Sequence, residues 1–159
     1  MNKIHGLFVV VAVCVMAASV RAESIVVSKK IPYAKNSTAD ADIRKECDWN
    51  TTLPRYLAAE SKGRVLVNDK ASASDSKLAL VATAVHAAGG GPFSGPKWLT
   101  LEGKLTKGGK SLGNFEVRRQ TMSGYDVCGT LTSLSEEIAG DILEWLDKPG
   151  KDAKLGDAG

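Results

Sequence analysis

Few side chains in this chain are equipped for chemistry, and those few are poorly partnered. Histidine is the scarcest: beyond His5, in the apolar start of the chain, there is only His86. A general base or metal ligand at His86 needs companions, and no Cys-x-x-Cys supplies them. A lone histidine at a strand end is more often structural. Asp48, Asp126, Glu136 and Glu137 could in principle form a carboxylate pair, but no spacing brings two of them to one cleft, so they read as solvated charge. Gly89, Gly90, Gly91 and Pro92 open a loop whose backbone can approach a ligand or a neighbouring chain, with Phe93 as its apolar contact. The same glycines would equally serve a plain connector. No Gly-Lys-Ser/Thr closes the loop, so it is not a phosphate cradle. These residues predict a non-enzyme without metal or cofactor, whose contact residues are Gly89, Gly90, Gly91, Phe93 and Trp98.

The cysteines have a simpler use. Lys3, an apolar run over residues 7–18, and Val20-Arg21-Ala22 have the anatomy of a secretory signal, residues 1–22. The run is short for a bilayer span, and Cys14 follows Val13 within it, which is not a setting for lipid attachment. Removing 22 of the 159 residues leaves 137, one ordinary domain over residues 23–148 with a flexible tail at 149–159. Two basic residues and no acid leave with the signal, so the net charge falls from +3 to +1. Neither that balance nor any basic cluster interleaved with aromatics calls for nucleic acid. Cys14 leaves as well, and Cys47 and Cys128 remain as an even pair in an oxidising compartment, where a disulfide is the expected product. It would tie the first helix to the stretch before the last one.

The elements that must position these residues centre on residues 77–121, read as three consecutive antiparallel strands. Leu78, Leu80, Ala82 and Ala84 alternate with Ala79, Val81, Thr83 and Val85, as in a strand buried on both faces. Next, Leu99, Leu101, Gly103 and Leu105 share one face and Trp98, Thr100, Glu102 and Lys104 the other. Trp98 suits a contact surface, although a covering helix is the expectation for it. Gly108-Gly109 turns the chain into a third strand with Phe115 and Val117 inward and Asn114, Glu116 and Arg118 outward. Ile25 to Val27 and Val65 to Val67 supply two further strands. Between them a helix begins near Ala39 and is kinked or split at Pro54, with Thr51 or Thr52 as the cap if split. Ser133-Leu134-Ser135-Glu136 matches a capping box before the stripe Leu134, Ile138, Ile142, Trp145 and Leu146. Asn36-Ser37-Thr38 and Asn50-Thr51-Thr52 match the N-glycosylation pattern. The expected fold is α+β: a two-layer α/β sandwich with a mixed sheet of about five strands, an N-terminal βαβ unit, an antiparallel meander and a C-terminal helix.

In this order of elements, the Gly-rich loop and the terminal helix, the chain resembles uncharacterised bacterial envelope domains. More distantly, it is similar to periplasmic domains of the curli secretion channel and of outer-membrane activators of peptidoglycan synthases. The resemblance spans residues 24–147 and implies work through protein contacts. The expected function is that of an exported periplasmic binding or accessory protein, its partner another envelope or secreted protein, with no nucleic acid and no membrane span. The alternatives are an inhibitor or immunity protein against a secreted enzyme, and an enzyme or metal protein dependent on His86. Export with cleavage after Ala22 gives a product beginning at Glu23, which intact mass checks; a product retaining residues 1–22, or lipid on Cys14, refutes it.

Overall fold

The computed structural model describes residues 24–70, 72, 75–89, 95–124 and 126–159. Along the chain run β1 (Ile25–Val27), α1 (Ala41–Glu46), α2 (Trp49–Glu60), β2 (Val65–Val67), β3 (Ser76–His86), β4 (Lys97–Lys107), β5 (Lys110–Thr121), α3 (Val127–Asp147) and β6 (Ala153–Gly156). One six-stranded mixed sheet has the order β2-β1-β3-β4-β5-β6. β1 is parallel to both β2 and β3, β3–β4–β5 form an antiparallel meander, and β6 runs parallel to β5. The fold is thus the expected α/β sandwich, with a direct βαβ unit at each end of the meander. The second unit corrects the reading of 149–159 as a flexible tail. Two inward side chains, Ala153 and Leu155, opposite Phe115 and Val117, suffice because the sheet edge supplies the hydrogen bonds.

The helices lie on one face of the sheet. Leu78, Leu80, Ala82, Val85, Leu99, Leu101, Leu105, Phe115 and Val117 point into a core shared with Ile43, Leu53, Leu57, Leu131, Leu134, Ile138 and Ile142. Among the described residues no element layers over the opposite face, and there Lys77, Ala79, Glu102 and Lys104 are exposed. β3 is therefore buried on one side, not both. A bulge between Ala82 and Ala84 slips its register and turns Val85 inward. Residues 32–34 pair with β3 at the bulge: Ala82 N donates to Pro32 O and Ala34 N to Ala82 O. β2 is an edge strand; Val65 is buried but Leu66 is 48% exposed.

The first helix divides at Cys47–Asp48, ahead of Pro54 rather than at it, and Asp48 is the cap of α2. Thr51 and Thr52 do not cap it; their hydroxyls donate to the Asp48 carbonyl. Pro54 sits inside α2. A proline cannot donate to the carbonyl four residues earlier, and here that carbonyl, Asn50 O, accepts from Ile31 N at 2.9 Å. Asn50 Nδ2 returns a bond to Ile31 O at 3.1 Å. The gap left by the proline thus becomes the seat of the strand that leads into the helices. Asn50 is only 2% exposed, so its glycosylation pattern is closed in the folded chain, whereas Asn36 lies in an exposed turn.

α3 begins six residues before the predicted capping box. Asp126 caps it by accepting from Gly129 N at 2.6 Å, and Ser133 lies mid-helix with its hydroxyl donating to Gly129 O. Asn50→Ala leaves Ile31 O buried without its donor and is expected to cost about 1–3 kcal/mol in urea unfolding; an unchanged midpoint would show that the Asn50–Ile31 exchange does not seat β1's exit.

Candidate functional site

The uncovered sheet face carries one aromatic cluster, at the end where β3 and β4 meet the Gly-rich loop. His86 is the last residue of β3, Trp98 the second of β4, and the ladder pairs them directly. Their rings stack at 4.0 Å between centroids, 21° apart. On the other side of β4, Arg118 stands opposite Thr100 and so diagonal to Trp98, with its guanidinium carbon 5.1 Å from the indole centre. Three strands thus contribute an imidazole, an indole and a guanidinium to one row. Trp98 is half-buried, with the His86 and Arg118 side chains against its ring, and lies on the face away from the helices of the described residues rather than in the expected covered core.

Below this row the face is charged and open. A shallow concavity of about 610 Å³ runs over it, bordered among others by Val81, Glu102, Lys104, Glu116 and Lys154. Lys154 Nζ pairs with Glu116 at 3.1 Å. One residue along from Arg118, Arg119 points to the helical side, where its Nε and Nη2 meet the Asp141 carboxylate at 2.8 and 2.6 Å. Those hydrogen bonds raise the Arg119 pKa above its ordinary value.

Of the expected contact residues, Gly90, Gly91 and Phe93 lie outside the described residues. Gly89 has φ +63° and lines a different cleft, of about 560 Å³, with Ala87, Ala88, Asp40, Asp42, Glu46 and Asp126. Cys47 and Cys128 also line that cleft and are joined in a disulfide with Cα atoms 5.0 Å apart. Because α3 starts early, the bond joins the end of α1 to the first turn of α3 itself, not to a stretch before it. The structure therefore brings Trp98 together with His86, but not with Gly89, which belongs to the disulfide side. Among the described residues no three His, Cys, Asp or Glu gather to hold a metal, and no helix is long and apolar enough to cross a membrane. Arg118 is the residue that sequence reasoning left as ordinary outward charge; only the hairpin register places it beside Trp98.

No family model and no curated protein matches the sequence. Among solved structures, an uncharacterised protein shares the fold at a TM-score of 0.54, with 12% identity over 77% of this chain and 92% of that one. A PelC dodecamer from Paraburkholderia phytofirmans (TM-score 0.44, 15% identity, 74% and 85% covered) and a DUF330 protein from Xanthomonas campestris (TM-score 0.39, 14% identity, 77% and 83% covered) are too dissimilar to bear on the argument.

The disulfide closes a loop of 81 residues. Replacing both cysteines by alanine is expected to lower stability by about 2–5 kcal/mol, with the ~4.5 kcal/mol that loop closure removes from the unfolded chain near the upper end of that range. Urea unfolding checks it, and a variant as stable as the parent would contradict it.

Proposed function

We propose that this is an exported, non-catalytic binding or accessory protein of the bacterial envelope, which holds a partner protein on the uncovered sheet face around Trp98. The observation that carries the reading is the His86–Trp98–Arg118 row on a face that no helix of the described residues covers. Tryptophan and arginine are the residue types that dominate contact energies, and they do so where neighbours exclude water from them. Here the imidazole and the guanidinium already shield both sides of the indole, so its edge is presented without much loss of side-chain freedom. A disulfide between the only two cysteines left after the signal fits an oxidising compartment. The similarity in element order to periplasmic domains supports the envelope setting.

The test is capture from an envelope extract of the producing organism, with residues 23–159 as bait. Trp98→Ala should weaken capture of the retained partner by about 1–3 kcal/mol. Leu112→Ala, at the far end of the β4–β5 hairpin, should leave it unchanged. His86→Phe keeps a ring on Trp98 but no titratable nitrogen, and should capture normally. Undiminished capture by Trp98→Ala refutes the site, and loss with His86→Phe but not with Trp98→Ala would favour chemistry at the imidazole.

A further inference from the structure

Arg118 is the arginine of the described residues whose guanidinium reaches neither a carboxylate nor a backbone carbonyl, although Arg44, over the Tyr33 ring, shares its aromatic contact. Arg64 pairs with Asp147, Arg119 is doubly bonded to Asp141, and Arg44 and Arg55 donate to backbone carbonyls of their own helices or the turns before them. For Arg118 the one polar partner is the neutral Gln120 Oε1, 3.3 Å from Nη2, and its Nε is buried without a bond. The acid nearest along its own strand, Glu116, is engaged by Lys154. Glu102 faces Glu116 across the ladder, one row further from Trp98 than Thr100.

The side chain is nonetheless held. Stacking on the indole restrains the plane of the guanidinium, and Gln120 restrains rotation about its terminal bond. Ordering a long cationic side chain costs conformational entropy, and among the described residues no carboxylate forms an ion pair with it. A planar fork of fixed orientation, partly dried by an aromatic ring, is the arrangement that takes a carboxylate through two parallel N–H···O bonds. Arg119 makes that pair on the opposite face of the same strand.

We propose that Arg118 is a carboxylate-docking site, which receives the side chain of an aspartate or glutamate from the partner protein with Trp98 as the apolar wall beside it. The inference rests on the reading of the open face as the contact surface and adds the partner's chemistry. A chain-terminal carboxylate fits less well, because such termini are held by clustered free backbone N–H groups. Here β5 is paired on both sides and Arg118 O already accepts from Asp157 N.

The experiment uses the folded chain 23–159 labelled for NMR, following the Nε–H signals of the arginines and the Trp98 indole N–H. The probes are N-acetylglutamate and its uncharged counterpart N-acetylglutamine. Saturable shifts at Arg118 and Trp98 with the first probe only, and an affinity reduced about tenfold or more in Arg118→Lys, which keeps the charge but loses the fork, are the expected results. Absence of a shift at Arg118, equal shifts with both probes, or unchanged affinity in Arg118→Lys overturns the proposal. If it falls while Trp98→Ala still impairs partner capture, the open face stands as the contact surface without a carboxylate. If Trp98→Ala leaves capture intact, the face itself is the wrong surface.

Discussion

Burial on a single face of the sheet is the constraint on which the other features depend. All the large apolar side chains of β3, β4 and β5 that are fully buried point to the helices, among them Leu78, Leu99, Leu101 and Val117. Fully burying one such side chain is worth about 1.5–3 kcal/mol, so the alternation of these strands sets their register firmly. The consequence on the opposite face is permissive. Side chains there contribute little to stability, and a tryptophan, an arginine and a histidine can stand in one row without a layer above them.

Holding the helices to one face requires clamps, and the chain has two of different kinds. Pro54 frees the Asn50 carbonyl, and Ile31 takes it, so the exit of β1 is locked to α2 by a pair of buried bonds. Cys47 and Cys128 join the end of α1 to the beginning of α3. One clamp works by satisfying polar groups that would otherwise be buried unpaired, and the other by limiting the unfolded chain. Gly103 makes room for its cross-strand partner Phe115, whose ring lies 2.1 Å from where a Cβ would fall and packs edge-on against Trp145 of α3.

Periodicity made the meander legible in the sequence, together with its inward and outward sets and the apolar stripe of α3. What it missed has physical causes. The start of α3 was hidden because Asp126 makes a cap without a capping box, while the Ser133 box that looked like a start is satisfied within the helix. β6 was hidden because an edge strand needs few apolar residues when its partner's free backbone groups supply the bonds. Arg118 could have been found. The Gly108-Gly109 turn pairs Lys107 with Lys110, an odd position with an even one, yet both strands place odd positions inward. One residue must therefore bulge, and it is Leu112, skipped between the pairs Thr106–Ser111 and Leu105–Gly113 and 44% exposed. With that extra residue counted, Trp98 falls opposite Gln120 and diagonal to Arg118.

Arg118 and Arg119 show how the same strand serves the fold and the open face. As consecutive residues of β5 they must point to opposite sides. Inward, over α3, the guanidinium of Arg119 meets Asp141 in a partly buried bidentate pair, with Glu137 4.0 Å away, and the cation is spent on holding helix to sheet. Outward, the guanidinium of Arg118 meets an indole and an amide, neither of which neutralises it. Leaving a cation without its counter-charge gives up an interaction that the chain makes one residue away, and the fold obtains no packing from it on an uncovered face. A carboxylate from a partner is the group that the proposed docking would add there.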